Sequence, residues 1–270
     1  MATAFYPLTL ALLRLFTAFM FWQHGAQKLF GLFGAKQAET FSILWFAGGA
    51  EFLGAFALAI GFLTRPFAFI LALDMAVVYL TRYLPQGFPP ILNRDGETAC
   101  LLFLICSLLV FTGPERFSVE GTFKPKPGVN PEASLRQYYP AALTIFRIFV
   151  GLLFVQHGLQ KVFGMLSGAE EEFLALRWFA GVIELIGGPA IVLGLFTRPV
   201  AFILCGEMAF AYFINHNPRS FWPIINLGER TVLFCYTYLF LVTAGPGKWS
   251  LDGLLRKKAG HNRELAAVER

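Results

Sequence analysis

Eight runs of mostly apolar residues, each about twenty residues long, constrain the fold of this 270-residue chain more than any other feature. They cover approximately residues 8–30, 42–63, 66–84, 97–113, 141–164, 174–195, 199–217 and 230–245. Helices of this length cross a bilayer, and the runs are too long and too continuous for barrel strands. The chain is 56% hydrophobic and 14% charged, which is too little polar surface for a water-soluble domain. We expect an all-α polytopic membrane protein with eight transmembrane helices, surrounded by the lipid bilayer.

The second half of the chain repeats the first at an offset of 133 residues. FWQHGAQKLFG at 21–31 returns as FVQHGLQKVFG at 154–164, and WFAGGAE at 45–51 returns as WFAGVIE at 178–184. Each repeat contains an even number of apolar runs, so both repeats enter the membrane in the same direction. We therefore expect two parallel four-helix bundles related by an axis along the membrane normal.

The repeats divide the chain into four parts, and its basic residues orient them. We expect a first repeat at 1–121, a linker at 122–140, a second repeat at 141–255 and a basic tail at 256–270. Twelve Lys and Arg residues fall on the side of both termini and six on the opposite side. The positive-inside rule then predicts cytoplasmic termini, linker and tail in a bacterial-type cytoplasmic (inner) membrane. Because this topology explains the net charge of +5, we expect no nucleic-acid partner.

Ionisable residues inside the apolar runs must face protein or water, since each costs about 2.5–3.5 kcal/mol at the bilayer centre. At a rise of about 1.5 Å per residue, Arg14 and Asp74 lie at similar depths. Arg147 and Glu207 do the same in the second repeat. We expect one buried ion pair in each repeat, Arg14 with Asp74 and Arg147 with Glu207, and we interpret both pairs as structural.

A second set of polar residues lies toward the other end of the first helix of each repeat. His24 and Lys28 share one helix face, and Glu51 lies near mid-membrane on a face rich in Gly and Ala. The candidate ligand-binding residues are His24, Lys28, Glu51, His157, Lys161 and Glu184. Two alternatives stay open, because the lysines can snorkel to the interface and the histidines can be packing residues.

Other polar residues and the cysteines receive simpler interpretations. Glu97 and Glu229 each begin the last helix of a repeat, where a carboxylate suits the helix dipole. The four cysteines form no CxxC motif and are interpreted as apolar packing residues. No HxxxH or Cys–His spacing occurs, so we expect no metal site, and the sequence identifies no catalytic residue.

One ordered set of motifs occurs in both repeats, over residues 14–121 and 147–253. It consists of Arg in helix 1, HGxxK with a following Gly, Glu in a Gly-rich helix 2, a Thr-Arg turn, and GPxxxSx[DE]G after helix 4. The set resembles the DoxX family, whose members are four-helix membrane proteins, some of them linked to quinone-dependent sulfur oxidation or to membrane redox assemblies. The resemblance implies quinone as a non-covalent cofactor, no covalently bound cofactor, and other subunits of a membrane complex as partners.

The expected function is therefore that of a quinone-interacting or accessory membrane subunit of a redox complex. Side chains of His, Gln, Lys and Glu can hydrogen-bond a quinone carbonyl and relay its proton. The sequence contains no haem-ligand pair, flavin motif or iron–sulfur cysteines, which favours an accessory role over a complete oxidoreductase. Two alternatives stay open: a non-catalytic structural subunit of a larger membrane assembly, and a small-solute carrier, which the parallel repeats suggest.

Overall fold

A computed structural model describes residues 2–122, 135–166 and 171–268, and the side chains of 4–122, 135–166 and 171–259. Most of the expected linker falls at 123–134, outside the described residues, so the domain boundaries stay predictions. The described ranges contain helices and irregular segments and no strand.

The described residues contain nine longer helices. They are α1 (Tyr6–Phe30), α2 (Ile43–Ile60), α3 (Thr64–Val78), α4 (Arg94–Thr112), α5 (Tyr139–Phe163), α6 (Leu176–Leu193), α7 (Thr197–Ala211), α8 (Glu229–Ala244) and α9 (Leu251–Val268). A π-helical turn extends α3 at Tyr79–Tyr83 and α7 at Tyr212–His216. Four helices therefore come from each repeat, with α9 following the second.

Six of these helices are long and apolar enough to cross a membrane: α2, α4, α5, α6, and α3 and α7 with their extensions to Gln86 and His216. The 25-residue α1 and the 16-residue α8 are not among them. The expected polytopic helical membrane protein is thus confirmed, whereas the expected number of eight transmembrane helices is not.

The helices of the two repeats are interleaved rather than separated into two bundles. Within each repeat, consecutive helices pair as α1 with α2, α3 with α4, α5 with α6, and α7 with α8. The first and last helices of a repeat meet mainly across repeats, with α1 on α8 and α4 on α5. Of the apolar stretch in each helix, 61% is buried in α4 and 50% in α5, against 33% or less in α2, α3, α6 and α7. The two expected bundles are therefore replaced by one core that both repeats share.

The segment that follows the last helix of each repeat caps the start of the third helix. In the second repeat, the Asp252 carboxylate accepts hydrogen bonds from the backbone N–H groups of Phe196 and Thr197, at 2.8 and 2.9 Å. Glu120 accepts one from the N–H of Thr64 in the first repeat. Burial raises the pKa of Asp252, but these backbone donors, together with the Thr197 side chain and Arg256, hold the pKa below its usual value. The acidic residue of GPxxxSx[DE]G is thus a helix cap.

The buried arginines bind backbone carbonyl groups at this same end of the molecule. Arg147 donates to the carbonyl oxygens of Ile191 and Val192 at the end of α6, and to Trp249. The turn after α6 has Gly194 at φ +67°, where a Cβ would lie 2.7 Å from the guanidinium. A cation at a helix C-terminus also neutralises the negative end of the helix dipole. Each arginine thus ties the first helix to the end of the second and to the segment after the fourth.

One glycine in each repeat lets the backbones of the first two helices touch where the helices cross. A Cβ on Gly25 would lie 2.6 Å from the backbone nitrogen of Phe52, and one on Gly158 would lie 2.5 Å from that of Leu185. Contacts this short do not occur between real atoms, so only glycine fits. The Gly of HGxxK is therefore required by the packing of α1 on α2 and of α5 on α6.

We predict that Gly25→Ala and Gly158→Ala each destabilise the protein by about 1–3 kcal/mol, because the added methyl group forces two helix backbones apart. Gly49 and Gly206 are matched controls, since both are helical and a Cβ on either has open space. Alanine at these two positions should be neutral or stabilising by up to about 1 kcal/mol. The midpoint of thermal unfolding in detergent measures the difference, and equal midpoints for all four variants would contradict the packing argument.

Candidate functional site

A buried ion pair links the first two helices of each repeat. Lys28 Nζ lies 2.5 Å from Glu51 Oε1, and Lys161 Nζ lies 2.6 Å from Glu184 Oε1. Both glutamates are 1% exposed, so their charges depend on these lysines. The lysines therefore point inward to a carboxylate, and the snorkelling alternative does not describe them.

Glycine in the second helix creates the space that each lysine occupies. A Cβ on Gly48 would lie 2.7 Å from Cβ of Lys28, and a Cβ on Gly181 would lie 2.7 Å from Cβ of Lys161. Gly48 precedes Glu51 by three residues, which places both on one helix face. The WFAG-x-x-E motif thus supplies both the glycine against which the aliphatic part of the lysine packs and the carboxylate that its ammonium group binds.

The two histidines contact the opposite repeat. His24 Nε2 lies 2.9 Å from Glu229 Oε1, which joins α1 to α8. His157 Nε2 lies 2.7 Å from Glu97 Oε1, which joins α5 to α4. These contacts connect residues on opposite sides of the duplication. The polar network, which comprises the lysine–glutamate pairs and the histidine–glutamate contacts, therefore includes residues of both repeats.

The two histidine–glutamate contacts are not equivalent, because Glu97 also contacts an arginine. The guanidinium of Arg230 hydrogen-bonds to Glu97 Oε2, while Thr98 is the first-repeat counterpart of Arg230. Glu97 is fully buried. The α4–α5 contact therefore contains an arginine cation that the α1–α8 contact lacks.

The expected pairs of Arg14 with Asp74 and of Arg147 with Glu207 do not form within the described residues. Arg14 instead donates to the carbonyl oxygen of Phe117, and Arg147 binds the carbonyls described above. Equal depth was the basis of the prediction, but backbone carbonyl groups at the end of α6 and in the segments that follow α4 and α8 bind the arginines instead.

The two remaining acids lie next to the lysine–glutamate pairs. Asp74 is beside Glu51, with Lys28 and His24 also close by. Glu207 similarly faces Glu184 and Lys161. Each repeat thus contains a group of one ammonium and two carboxyls, supplied by its first three helices.

Glu97, Glu229 and Arg230 are the site residues that the sequence analysis missed. The helix-dipole interpretation was sufficient for both glutamates, and it gave no reason to look for a partner in the other repeat. Their position at the same membrane depth as the histidines was the available signal.

The structure also brings Cys205 and Cys235 together, with Sγ atoms 3.8 Å apart, which no sequence spacing indicated.

Within the described residues, no group of three or more His, Cys, Asp or Glu side chains is arranged to hold a metal ion. The polar network can hold charge in the membrane, exchange protons between neighbouring carboxyls, and hydrogen-bond a neutral ligand. Two apolar spaces lie elsewhere in the structure, one along the α4–α5 contact and one between α1 and α2 beside Trp222.

The larger apolar space is a groove between α4 and α5 with a volume of about 960 Å³. Phe111, Tyr138 and Ala142 line it toward the side of the chain termini. Tyr79 and Gln156 line it toward the opposite side. Because Tyr138 and Gln156 lie near the two ends of α5, the groove follows most of that helix.

The other contact between repeats, α1 on α8, is closed by aromatic rings. Phe16 and Tyr236 stack with ring centroids 3.7 Å apart, and Trp22 lies 5.9 Å from Trp222. A smaller space of about 420 Å³ remains beside these tryptophans. The duplicated fold thus has one filled seam, α1–α8, and one open seam, α4–α5.

A matching pair of glutamines shows the same difference. Gln23 is fully buried, and its Oε1 accepts a hydrogen bond of 3.2 Å from the N–H of Ile224. Its counterpart Gln156 donates to the Leu152 carbonyl, while its Oε1 is buried without a partner. Gln156 therefore presents an unused acceptor beside the open groove.

The family model for DoxX matches residues 9–83 and 142–217, one region in each repeat. The match confirms the tandem duplication inferred from the sequence. No solved structure matches the chain significantly.

Known relatives have about the length of one repeat. An uncharacterized protein of Haemophilus influenzae is 39% identical over 132 residues, which are 46% of this chain and 98% of the relative. An uncharacterized membrane protein of Mycobacterium tuberculosis is 30% identical over 44% of this chain and 85% of its own length. The inner membrane protein YqjF of Escherichia coli is 26% identical over 46% of this chain and 99% of its own length. These similarities agree with a membrane location.

We predict that His24 and Glu229 are energetically coupled across the repeats. A double-mutant cycle with His24→Ala and Glu229→Ala should give a coupling energy of about 0.5–3 kcal/mol in the free energy of unfolding. The matched cycle of His24→Ala with Glu97→Ala should be additive within about 0.5 kcal/mol, because these residues belong to different seams. Equal coupling in both cycles would show that the histidine contact is not specific.

Proposed function

Because the chain belongs to the DoxX family and is an integral membrane protein, we propose that it serves as an accessory membrane subunit that binds a quinone in the open seam. The single observation that carries this proposal is the α4–α5 groove, with the unused acceptor of Gln156 beside it. A long apolar groove with few polar groups is the kind of site that a polyprenyl-tailed ligand fills.

The shape of the groove supports a bound isoprenoid tail. Its wall is composed almost wholly of apolar side chains from α4 and α5, and Ala141 and Ala142 keep it open toward the side of the termini. A tail that fills the groove removes apolar surface from lipid only, so packing rather than the hydrophobic effect supplies the affinity. Selectivity for quinone must therefore come from polar groups at one end.

Polar groups occur at the end of the groove away from the termini. Tyr79 lies beside the thiol of Cys100, and apart from this weakly hydrogen-bonding thiol its buried hydroxyl has no partner among the described residues. A tyrosine hydroxyl donates to a quinone carbonyl, and the Gln156 carbonyl oxygen accepts from a quinol hydroxyl. Both redox states of a quinone ring can thus form a hydrogen bond here. His157 of the polar network is the next residue after Gln156 in the chain.

An accessory role follows from the chemistry that the side chains offer. Electron transfer to a quinone requires a redox centre, and the sequence contains no motif for haem, flavin or iron–sulfur ligation. The electrons must then come from another subunit. The exposed aromatic and aliphatic side chains of α2, α3, α6 and α7 provide a surface for lipid or for neighbouring helices.

We predict that the purified protein carries quinone and that filling the groove removes it. Ala142→Phe should lower the quinone extracted per chain at least about tenfold, equivalent to a loss of about 1.4 kcal/mol. Gln156→Leu should lower it less, because only one hydrogen bond is lost. Quinone content is measured by organic extraction and chromatography of protein purified in mild detergent.

Leu193→Phe is the control for this experiment, since Leu193 is 52% exposed on the outer face of α6 and lies away from the groove. It should leave quinone content unchanged. If Ala142→Phe and Leu193→Phe retain as much quinone as the unmodified protein, the groove is not the binding site. If the unmodified protein contains no quinone, the quinone proposal fails.

We further propose that α1 and α8 also cross the membrane, giving eight spans with cytoplasmic termini. Glu229 at the start of α8 meets His24 near the end of α1, and Thr243 near the end of α8 lies 2.6 Å from Thr9 near the start of α1. The two helices therefore run antiparallel over nearly their whole lengths. Because α1 also runs along the membrane-spanning α2, all three cover the same depth.

We predict opposite accessibility for two exposed cationic positions. Lys36 follows α1, and Arg116 follows α4. Cysteine at position 36 should react with a membrane-impermeant maleimide in cells whose cytoplasmic membrane is intact, whereas cysteine at 116 should react only after the membrane is opened. The unmodified protein, whose cysteines all lie in helices, is the control. Labelling of both positions from one side would rule out this topology.

A further inference from the structure

We propose that the paired carboxyls Glu51–Asp74 and Glu184–Glu207 are proton-binding sites, each holding one proton inside the membrane-spanning region. The proposal is independent of quinone binding. It rests on the number of charges, on buried oxygen atoms without partners, and on the occurrence of the same arrangement in both repeats.

The charges in each group do not balance unless one carboxyl is protonated. In the first repeat, the ammonium of Lys28 neutralises Glu51, to which it is bonded at 2.5 Å. Among the described residues Asp74 then has no ion-pair partner, since Arg14 is bonded to the backbone carbonyl of Phe117 in the segment after α4. An uncompensated charge at this depth costs several kcal/mol, and a bound proton removes that cost.

The oxygen atoms of the two carboxyls show where the proton resides. Oε2 of Glu51 and Oδ2 of Asp74 are both buried and lack a hydrogen-bond donor, although the side chains are neighbours. Two ionised carboxyls present only acceptors to each other. A single proton converts one of them into a donor, so that both buried atoms gain a partner at once.

The second repeat contains the same arrangement with a longer side chain. Glu184 is bonded to Lys161 through Oε1, and its Oε2 is buried without a donor. Both carboxyl oxygens of Glu207 are buried without a partner as well. The replacement of Asp74 by Glu207 changes the length of the side chain but keeps a third ionisable group against the lysine–glutamate pair.

Within the part of the chain that the structure describes, no other group near these acids supplies the missing positive charge. Around Asp74, besides Lys28 and Glu51, stand the thiol of Cys106 on α4 and His24. His24 is already engaged with Glu229. Around Glu207, the further neighbour is the neutral hydroxyl of Tyr238 on α8.

Infrared spectroscopy of the intact protein tests the first site without any substitution. The chain has three aspartates, Asp74, Asp95 and Asp252, so labelling aspartate with ¹³C at the side-chain carboxyl isolates a small set of bands. At neutral pH we expect one carbonyl band of a protonated carboxylic acid that shifts with the label. Its absence would show that all three aspartates are ionised and would overturn the proposal for Asp74.

Substitutions assign the bands and test the second site. Asp74→Asn should remove the aspartate band, Glu207→Gln should remove a separate protonated-carboxyl band, and Glu39→Gln at an exposed position should remove neither. Because Asn and Gln imitate the neutral acid, both variants should keep the unfolding midpoint of the unmodified protein, whereas Glu51→Gln should lower it by removing the partner of Lys28. Persistence of the protonated-acid bands in Asp74→Asn and Glu207→Gln would assign them elsewhere and contradict the proposal.

Discussion

Burial of the Lys28 ammonium against the Glu51 carboxylate is the interaction on which the arrangement of each repeat depends. Neither charge is stable in the membrane-spanning region without the other, so α1 and α2 must cross where the two side chains meet. The crossing in turn requires Gly48 beside the lysine stem and Gly25 against the backbone of α2. Lys161 and Glu184 impose the same geometry on α5 and α6. The HGxxK and WFAG-x-x-E motifs are therefore two halves of one joint between helices.

The helical class, the duplication and the polar residues of this joint could be predicted from sequence, because each leaves a local or periodic signal. Apolar runs report spanning helices, and the offset between equal motifs reports the repeat. Which side chains contact each other could not be predicted in the same way. Arg14 was expected to bind Asp74 because both lie at one depth. Depth does not determine which face of a helix a side chain occupies, and Arg14 instead binds the Phe117 carbonyl in the segment after α4.

The contacts between repeats were beyond sequence reasoning for a related reason. When two segments are nearly identical, a partner in the same repeat and a partner in the other repeat fit the pattern equally well. His24 was therefore grouped with Glu51 of its own repeat, whereas its carboxylate contact is Glu229 of the other. This exchange explains why the repeats do not form two closed bundles: the first and last helices of each repeat find their main partners across the duplication, and the core lies between them.

Fusion of two copies in one chain removes the requirement that equivalent contacts be identical. The α1–α8 seam is filled by Phe16 stacked on Tyr236, whereas the α4–α5 seam retains a groove of about 960 Å³. Arg230 adds a cation to Glu97 at the open seam, where a symmetric arrangement would place it at both. Two separate identical chains would have to open both seams or close both. A fused pair can instead close one seam to hold the repeats together and keep the other open, so the two seams no longer have to meet the same structural demands.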